Sequence, residues 1–593
     1  MSIYVLGVSF DYHDAAAALL RDGEVIAAAE EERFSRQKHD HRFPAKAIAF
    51  CLRRAGIAAH QVDAVAFYEQ PFLKFDRIVH SGLKARAQGR NRPYLGRVLD
   101  TWMHEGKFDA RRRICEHLGI APDHVYGMTH HAAHASSAFF CSPFDRATVV
   151  TMDGVGEYET VTVSEARDRT ITPLYGRSLP ESLGLFYSAF TAFLGFEVNE
   201  GEYKVMGMAG FGQPTHLETM RSLMRATPDG LFAIDHDYFE FECPDDLPYK
   251  PKLRELFGEP RDPESLFQVP PKSESPAPGS VEAVSLHYAN IAASLQARTE
   301  EIILHVVEHA VRATGIRNVC VAGGVGLNSL ANARVQRELG CQLYVHPAAG
   351  DSGGAVGAAL HHCHSRLALP RRQGMENLYL GDEHSEDEVI AELTRHGVGG
   401  WSRCVDHEAL VRAVAQRLVD GKVVGWMQGR FEWGPRALGN RSILANPMRK
   451  DMQEIVNVRI KFREPFRPFA PSVLAEHAHE YFEIPDAIAP TGPEHFMLAV
   501  ARVRPDKREV IPAVTHYDGT ARVQVVRRET NPLYHRLIQA FGERTGVPVV
   551  LNTSFNLRGE AIVDTPYDAL ETFFWSEMDA LVMGNILLDK GAS

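Results

Sequence analysis

Two histidines four residues apart are the first pattern in this chain with chemical meaning. In His130-His131-Ala132-Ala133-His134 the outer pair shares one helix face, a single turn apart, so both imidazoles reach toward one metal ion. Asp153 follows at the end of the apolar run 147–152 and opens Asp153-Gly154-Val155-Gly156. That reads as a strand running into a glycine-rich turn, where a carboxylate and free amides meet a metal or a phosphate. Asp351, in Gly350-Asp351-Ser352-Gly353-Gly354-Ala355, opens a comparable turn before a small-residue helix and supplies a fourth ligand. Two imidazoles and two carboxylates suit Fe, Zn or Mn and leave positions for water and phosphate oxygens. A histidine pair on a helix is more often structural; the two turn aspartates tip the reading toward a metal. His361-His362-Cys363-His364 also looks metal-like, but it ends a helix with no carboxylate near in sequence and reads as a surface or capping group.

His13 lies in the first turn between Asp11 and Asp14. A titratable imidazole beside carboxylates suits a general base, and equally a turn-capping cluster. A second constellation comes late. Residues 428–439 form a glycine-rich loop with Arg430 and Arg436; Lys461, Arg463 and Arg467 follow; Asn552-Thr553-Ser554-Phe555-Asn556 ends a buried strand. Arginine forks match phosphate oxygens, and a lysine offers a mobile point charge for departing pyrophosphate. Converging on one site, these groups would bind a triphosphate with a second small phosphate and catalyse by positioning and charge neutralisation. Apart, they are unrelated surface loops. Residues 441–467 carry seven basic side chains against three acidic ones. The patch suits a small anion, or a solvated basic helix face.

The elements that must hold these groups follow from the apolar pattern. Residues 3–10, 15–20 and 25–29 read as strands, with an Asp22-Gly23 hairpin turn between the last two. A similar unit recurs at 147–163, which suggests a duplicated α/β core with the active site between its halves. Residues 268–280 are a Pro/Ser-rich loop, a long helix spans about 281–314, and a strand at 319–322 leads to Gly323-Gly324-Val325-Gly326-Leu327-Asn328 and a new helix. Strand, glycine turn and helix N-terminus make a phosphate or ribose seat. Residues 423–426 read as a buried strand and 541–551 as a helix end plus strand. The composition shift at 367–374 sets a boundary between domains at 1–368 and 375–593.

The chain has 593 residues, more than one core supports, and a net charge of −12 that disfavours nucleic acid as the main partner. No apolar run is long enough for a membrane helix, and no signal-like start is present. Eight cysteines without a Cys-x-x-Cys pair point to reduced thiols and a cytoplasmic setting. Segment 65–115, with Phe67, Tyr68, Phe72 and Phe75, offers a candidate acceptor pocket, against a plain helical structural role.

Taken together, several motifs resemble one family: His13-Asp14-Ala15-Ala16, Glu30-Glu31-Glu32-Arg33-Phe34-Ser35, Lys38-His39, the His130/His134 pair, 202–207, Gly429-Arg430 with 434–439, 463–471 and 552–556. They look like the O-carbamoyltransferases of antibiotic, toxin and nodulation-factor biosynthesis, over nearly the whole chain and in order. The resemblance implies an α/β fold: a duplicated actin-like ATPase (RNase H-like) N-terminal domain, related to threonylcarbamoyl transfer, plus a C-terminal α/β carbamoyl-adenylate-forming domain. It implies an enzyme that makes O-carbamoyladenylate from carbamoyl phosphate and ATP, then moves the carbamoyl group to a hydroxyl of a small-molecule natural product. Fe(2+), or another divalent metal, would sit on His130, His134, Asp153 and Asp351, with Mg(2+) a further candidate. His13 would be the base on the acceptor. Lys461, Arg467 and Ser554 would act catalytically on carbamoyl phosphate and nucleotide, with Arg436, Arg463, Arg522, Asn552 and Asn556 binding. Gly154, Lys204, Gly324 and Asn328 would seat the adenylate for transfer. Two other readings stand beside it: a tRNA threonylcarbamoylation enzyme, which the acidic charge disfavours, and a non-catalytic nucleotide-binding module.

Overall fold

The computed structural model describes residues 2–87, 94–242, 247–270, 274–371, 374–464, 466–486 and 488–591. Cys243, Pro465, residues 271–273 of the Pro/Ser-rich loop, residues 372–373 of the boundary stretch and residues 88–93 of segment 65–115 lie outside the described residues. The chain forms two compact units. The first comprises 1–11, 20–24 and 58–373; the second comprises 12–19, 25–57 and 374–593.

Strand order reveals the repeat. One five-stranded sheet runs Glu24–Glu30, Ala16–Arg21, Tyr4–Ser9, Ala64–Phe67, Val125–Gly127. Another runs Thr170–Ser178, Glu159–Arg167, Arg146–Met152, Asn318–Ala322, Gln342–Val345. Numbered within each sheet, both read third, second, first, fourth, fifth. In the second sheet the first three strands are antiparallel and the last two join in parallel. A duplicated α/β core is therefore present, with helices making the parallel crossovers. The first hairpin turns at Asp22 and Gly23, both at positive φ (53° and 84°), which its twist requires.

The helix Val281–Thr314 starts where Ser280 accepts from the Ala283 amide and stops at Gly315, φ 68°. Asn328 caps Ser329–Leu339 through the Ala331 amide. The His-rich stretch departs from expectation. Instead of lying on the surface, His362, Cys363 and His364 are buried in a π-helical turn. The rings of Tyr126 and Phe140 pack on His362 and His364, and His364 Nδ1 lies 3.2 Å from Leu369 O, anchoring the helix exit.

The second unit is built on an eight-stranded mixed sheet in which Val424–Met427, Arg441–Ala445, Val549–Ser554 and Ala470–Leu474 are consecutive neighbours. Val550, Leu444 and Val582 face one core with helices His407–Val419 and Pro532–Thr545, while Val549, Leu551, Ile443 and Leu581 face the other. Side chains alternate between two covered faces, so most positions in these strands are apolar; Arg441, Ser442, Ser472, Asn552, Thr553 and Ser554 are the polar exceptions.

Candidate functional site

In the first unit the helix His130–Cys141 carries its two outer histidines toward the end of strand Arg146–Met152. His130 Nε2 lies 2.8 Å from Asp153 Oδ2 and 3.0 Å from His134 Nε2; His134 Nε2 lies 3.3 Å from the same carboxylate oxygen. Asp351 Oδ1 is 3.6 Å and 3.8 Å from the two imidazoles. One donor atom from each of the four falls within 4.8 Å of the others. Burial holds His130 near the neutral form, its pKa lowered to about 3, which keeps a lone pair available. Asp153 sits well below the carboxylate range because hydrogen bonds and charge from both histidines outweigh burial.

Supporting contacts fix this group. Glu157, which the motif reading missed, accepts the His130 amide at 3.0 Å and the Gln70 amide at 2.8 Å. Only its place four residues after Asp153 hinted at a role. His131 does not join the cluster; it bonds Thr151 Oγ1 at 2.6 Å and Glu159 O at 2.9 Å. The Gly324 amide donates to Asp153 Oδ1 at 3.0 Å. Gly154 precedes the same turn's end, its carbonyl accepting from Ser182 Oγ at 2.6 Å. Asn328 is turned into the protein. Its amide pairs both ways with Gln296, at 2.9 and 3.1 Å, besides capping its helix. Lys204 is half-buried, its ammonium over the Phe196 ring.

In the second unit Lys461, at a helix end, is 2% exposed. Its Nζ donates to Ser554 O at 2.7 Å, Asn556 Oδ1 at 2.7 Å and Ser554 Oγ at 3.1 Å. Burial first, then the charges of Arg463, Arg467 and Lys38, press its pKa well below the lysine range. Arg463 Nε donates to Asn457 Oδ1 at 2.7 Å, and its guanidinium covers the Phe469 ring. Arg467 pairs with Glu464 at 2.7 Å. Lys461, Ser554, Asn556, Arg463 and Arg467 are thus gathered. Asn552 lies deeper, its amide reaching Gln524 Oε1 at 2.9 Å, Ser472 Oγ at 3.1 Å and Ala437 O. Arg522 and Arg436 are half-buried; Arg522 bears on His516.

Two family profiles match the chain: Carbamoyltransferase N-terminus over residues 4–360 and Carbamoyltransferase C-terminus over residues 415–590. The chain belongs to the carbamoyltransferase family. Relatives agree. The uncharacterized protein sll1178 of Synechocystis sp. is 40% identical, covering 99% of this chain and 97% of that protein. Nodulation protein NolNO of Sinorhizobium fredii is 35% identical over 98% and 79%. The 3'-hydroxymethylcephem-O-carbamoyltransferase of Streptomyces clavuligerus is 36% identical over 45% and 47%.

The carbamoyltransferase also brings together residues that no short motif joined. Asp14 places Oδ2 at 2.9 Å from His13 Nδ1 and Oδ1 at 2.8 Å from His39 Nδ1. His13 and Asp14 are neighbours in sequence, but His39 lies 25 residues from Asp14, so spacing gave no signal for it. One member of the basic patch is corrected: Arg441 is fully buried. It donates to the carbonyls of Gln428, Gly429 and Asn440, so it braces the glycine-rich loop and is no part of a solvated face. Segment 65–115 divides. Phe67 and Tyr68 are buried, and Phe75 packs on Trp102 and Phe108, whereas Phe72 is 70% exposed. Among the described residues seven cysteines are free thiols, and no helix is long and apolar enough to cross a membrane.

Proposed function

We propose that this carbamoyltransferase forms O-carbamoyladenylate from carbamoyl phosphate and ATP, and then passes the carbamoyl group to a hydroxyl of a small-molecule natural product. The observation that carries the reading is the buried Lys461 ammonium held on Ser554 and Asn556 amid Arg463, Arg467 and Lys38. A buried lysine with three further cationic side chains near it suits a compact anion such as a polyphosphate. The hydroxyl acceptor is supported by the similarity to 3'-hydroxymethylcephem-O-carbamoyltransferase.

Phosphate leaves carbamoyl phosphate with uptake of one water; the carbamate oxygen attacks the α-phosphorus of ATP; pyrophosphate departs. The acceptor oxygen then attacks the carbamoyl carbon, its proton goes to a base, and AMP leaves. Lys461, Arg463 and Arg467 neutralise phosphate charge as it is displaced. Ser554 and Asn556 aim the ammonium. Arg436 and Arg522 extend the anion-binding surface, and Asn552 holds the strand end through Gln524 and Ser472. His13 is the group that takes the acceptor proton.

His130, His134, Asp153 and Asp351 fit a divalent cation: two imidazole Nε2 atoms and two carboxylates, hard or borderline donors, converge with one ligand atom each within 4.8 Å of the others. Fe(2+) is our assignment within a donor set that also suits Zn or Mn. Bound there, the metal supplies Lewis acidity toward a carbamoyl or phosphate oxygen. Gly324, Gly154 and Lys204 would seat the nucleotide part beside it, with Asn328 shaping the helix start. Mg(2+) would accompany ATP. The net charge of −12 supports a small acceptor over a nucleic acid, and a cytoplasmic setting fits the free thiols.

The test is pyrophosphate release from ATP with carbamoyl phosphate present and acceptor absent. Folded, metal-loaded protein should release it only when both substrates are added. No release under those conditions sinks the proposal.

A further inference from the structure

The Asp14 carboxylate spends one oxygen on each of two imidazoles, His13 at 2.9 Å and His39 at 2.8 Å. The rings lie side by side, centroids 4.6 Å apart. The backbone reaches this arrangement at a cost. Asp14 and His39 both adopt left-handed conformations, φ 43° and 56°, uncommon for residues with a Cβ and typical of sites where strain is retained for function. His39 is tethered further: its amide donates to Glu32 Oε2 at 2.8 Å. His39 Nε2 is buried without a hydrogen-bond partner.

An ionised carboxylate only accepts hydrogen bonds, so each facing Nδ1 carries its proton and each Nε2 becomes the basic nitrogen. We propose that Asp14 and His39 are positioning residues for His13: Asp14 fixes the tautomer that leaves His13 Nε2 basic, and His39 clamps the second carboxylate oxygen so that the first stays aligned. This rests on the reading of His13 as the transfer base. Burial raises the Asp14 carboxyl, but the hydrogen bonds from His13 and His39, joined by their charge when protonated, outweigh it and hold the carboxyl well below the usual range. Arg36, Lys38, Asp40, His41 and Arg42 are the other charged or titratable groups within three residues of His39, and Glu32 accepts its amide. Asp40 is occupied by Arg42, at 2.6 and 2.9 Å, and the two histidines are the main groups that lower the Asp14 carboxyl.

The two partners should act on His13 with opposite signs. Removing the Asp14 charge withdraws support from the imidazolium, so the pKa of His13 falls. Removing His39 returns undivided carboxylate charge to His13, so it rises. A merely structural role predicts no such opposition.

The experiment is imidazole nitrogen NMR of the full chain labelled with 15N-histidine, with His13→Asn and His39→Asn assigning the two rings. Asparagine tolerates positive φ, so Asp14→Asn and His39→Asn keep the backbone. Expected are two Nδ1-protonated neutral rings in the wild type, a His13 pKa lower by about one pH unit in Asp14→Asn, and a higher one in His39→Asn. An Nε2-protonated His13, or shifts of the same sign in both variants, overturns the proposal. So does a second equivalent of bound metal lost in both variants, because the three groups would then be ligands. Activity of His13→Asn is read separately: full transfer by that variant would sink the base assignment and leave the tautomer result standing.

Discussion

Gly324 and Asp153 are tied main chain to side chain. The glycine amide donates to Oδ1 at 3.0 Å, and Oδ2 is left to face His130 at 2.8 Å and His134 at 3.3 Å. One strand-end turn thereby sets the direction of a carboxylate that begins at another strand end, Asp153 following Arg146–Met152 and Gly324 following Asn318–Ala322. The adjacency of those two strands is what makes the bond possible, since they pair in parallel with Ala322 beside Thr151.

Gly324→Ala should disturb that direction. An added Cβ would sit 3.1 Å from Asp153 Oδ1, so the carboxylate must shift by a few tenths of an ångström. Displacement of a ligand's outer support weakens metal binding by about 10-fold or more. Metal content after dialysis, with circular dichroism to confirm the fold, reads the outcome; unchanged retention would show that metal binding does not depend on this direction of the carboxylate.

Metal removal should separate the two half-reactions. Stripped of transition metal and resupplied with Mg(2+), the protein should keep pyrophosphate release within about twofold, because Lys461 and its neighbours are in the other unit, and lose carbamoyl transfer. Parallel loss of both activities would place the metal in adenylation.

Lys461→Met keeps much of the side-chain volume and deletes the charge. Ser554 and Asn556 lose their shared donor. Pyrophosphate release should fall by about 10²- to 10³-fold, the scale of one removed electrostatic stabiliser. Lys461→Arg should fail to rescue it, since a planar fork cannot replace a compact ammonium in that buried space.

Glu30 gives a pH signature of stability. It is buried, accepts the Gly434 amide at 2.9 Å and lies 3.5 Å from Arg33. Burial, only partly offset by Arg33, raises its pKa to about 7 from 4.5. A carboxyl whose folded value exceeds its unfolded one resists ionisation in the fold, so its contribution to stability declines as pH rises from about 4.5 through 7. Glu30→Gln keeps the acceptor oxygen and removes the penalty. Relative to wild type the variant should gain about 2 kcal/mol between pH 5 and pH 8 in denaturant melts. A difference that does not vary with pH would refute the buried-carboxyl account.

Much of this was legible in residue order, for reasons tied to short-range geometry. The four-residue spacing of His130 and His134 commits both to one helix face whatever surrounds the helix. Asp153 and Asp351 stand at strand- and turn-ends that apolar runs and glycines announce. Asp22-Gly23 can only turn a hairpin of one kind. Tertiary structure alone decided the rest. It brought Asp351 to within 3.6 Å of His130 across some two hundred residues, and His39 to Asp14 by way of two left-handed residues. It buried Arg441 and the His362–His364 turn that their polarity had placed outside. Local pattern fixes which face or turn a side chain leaves from, through bond geometry. Which distant group it meets depends on how packed sheets and helices align, and that alignment is a property of the whole core.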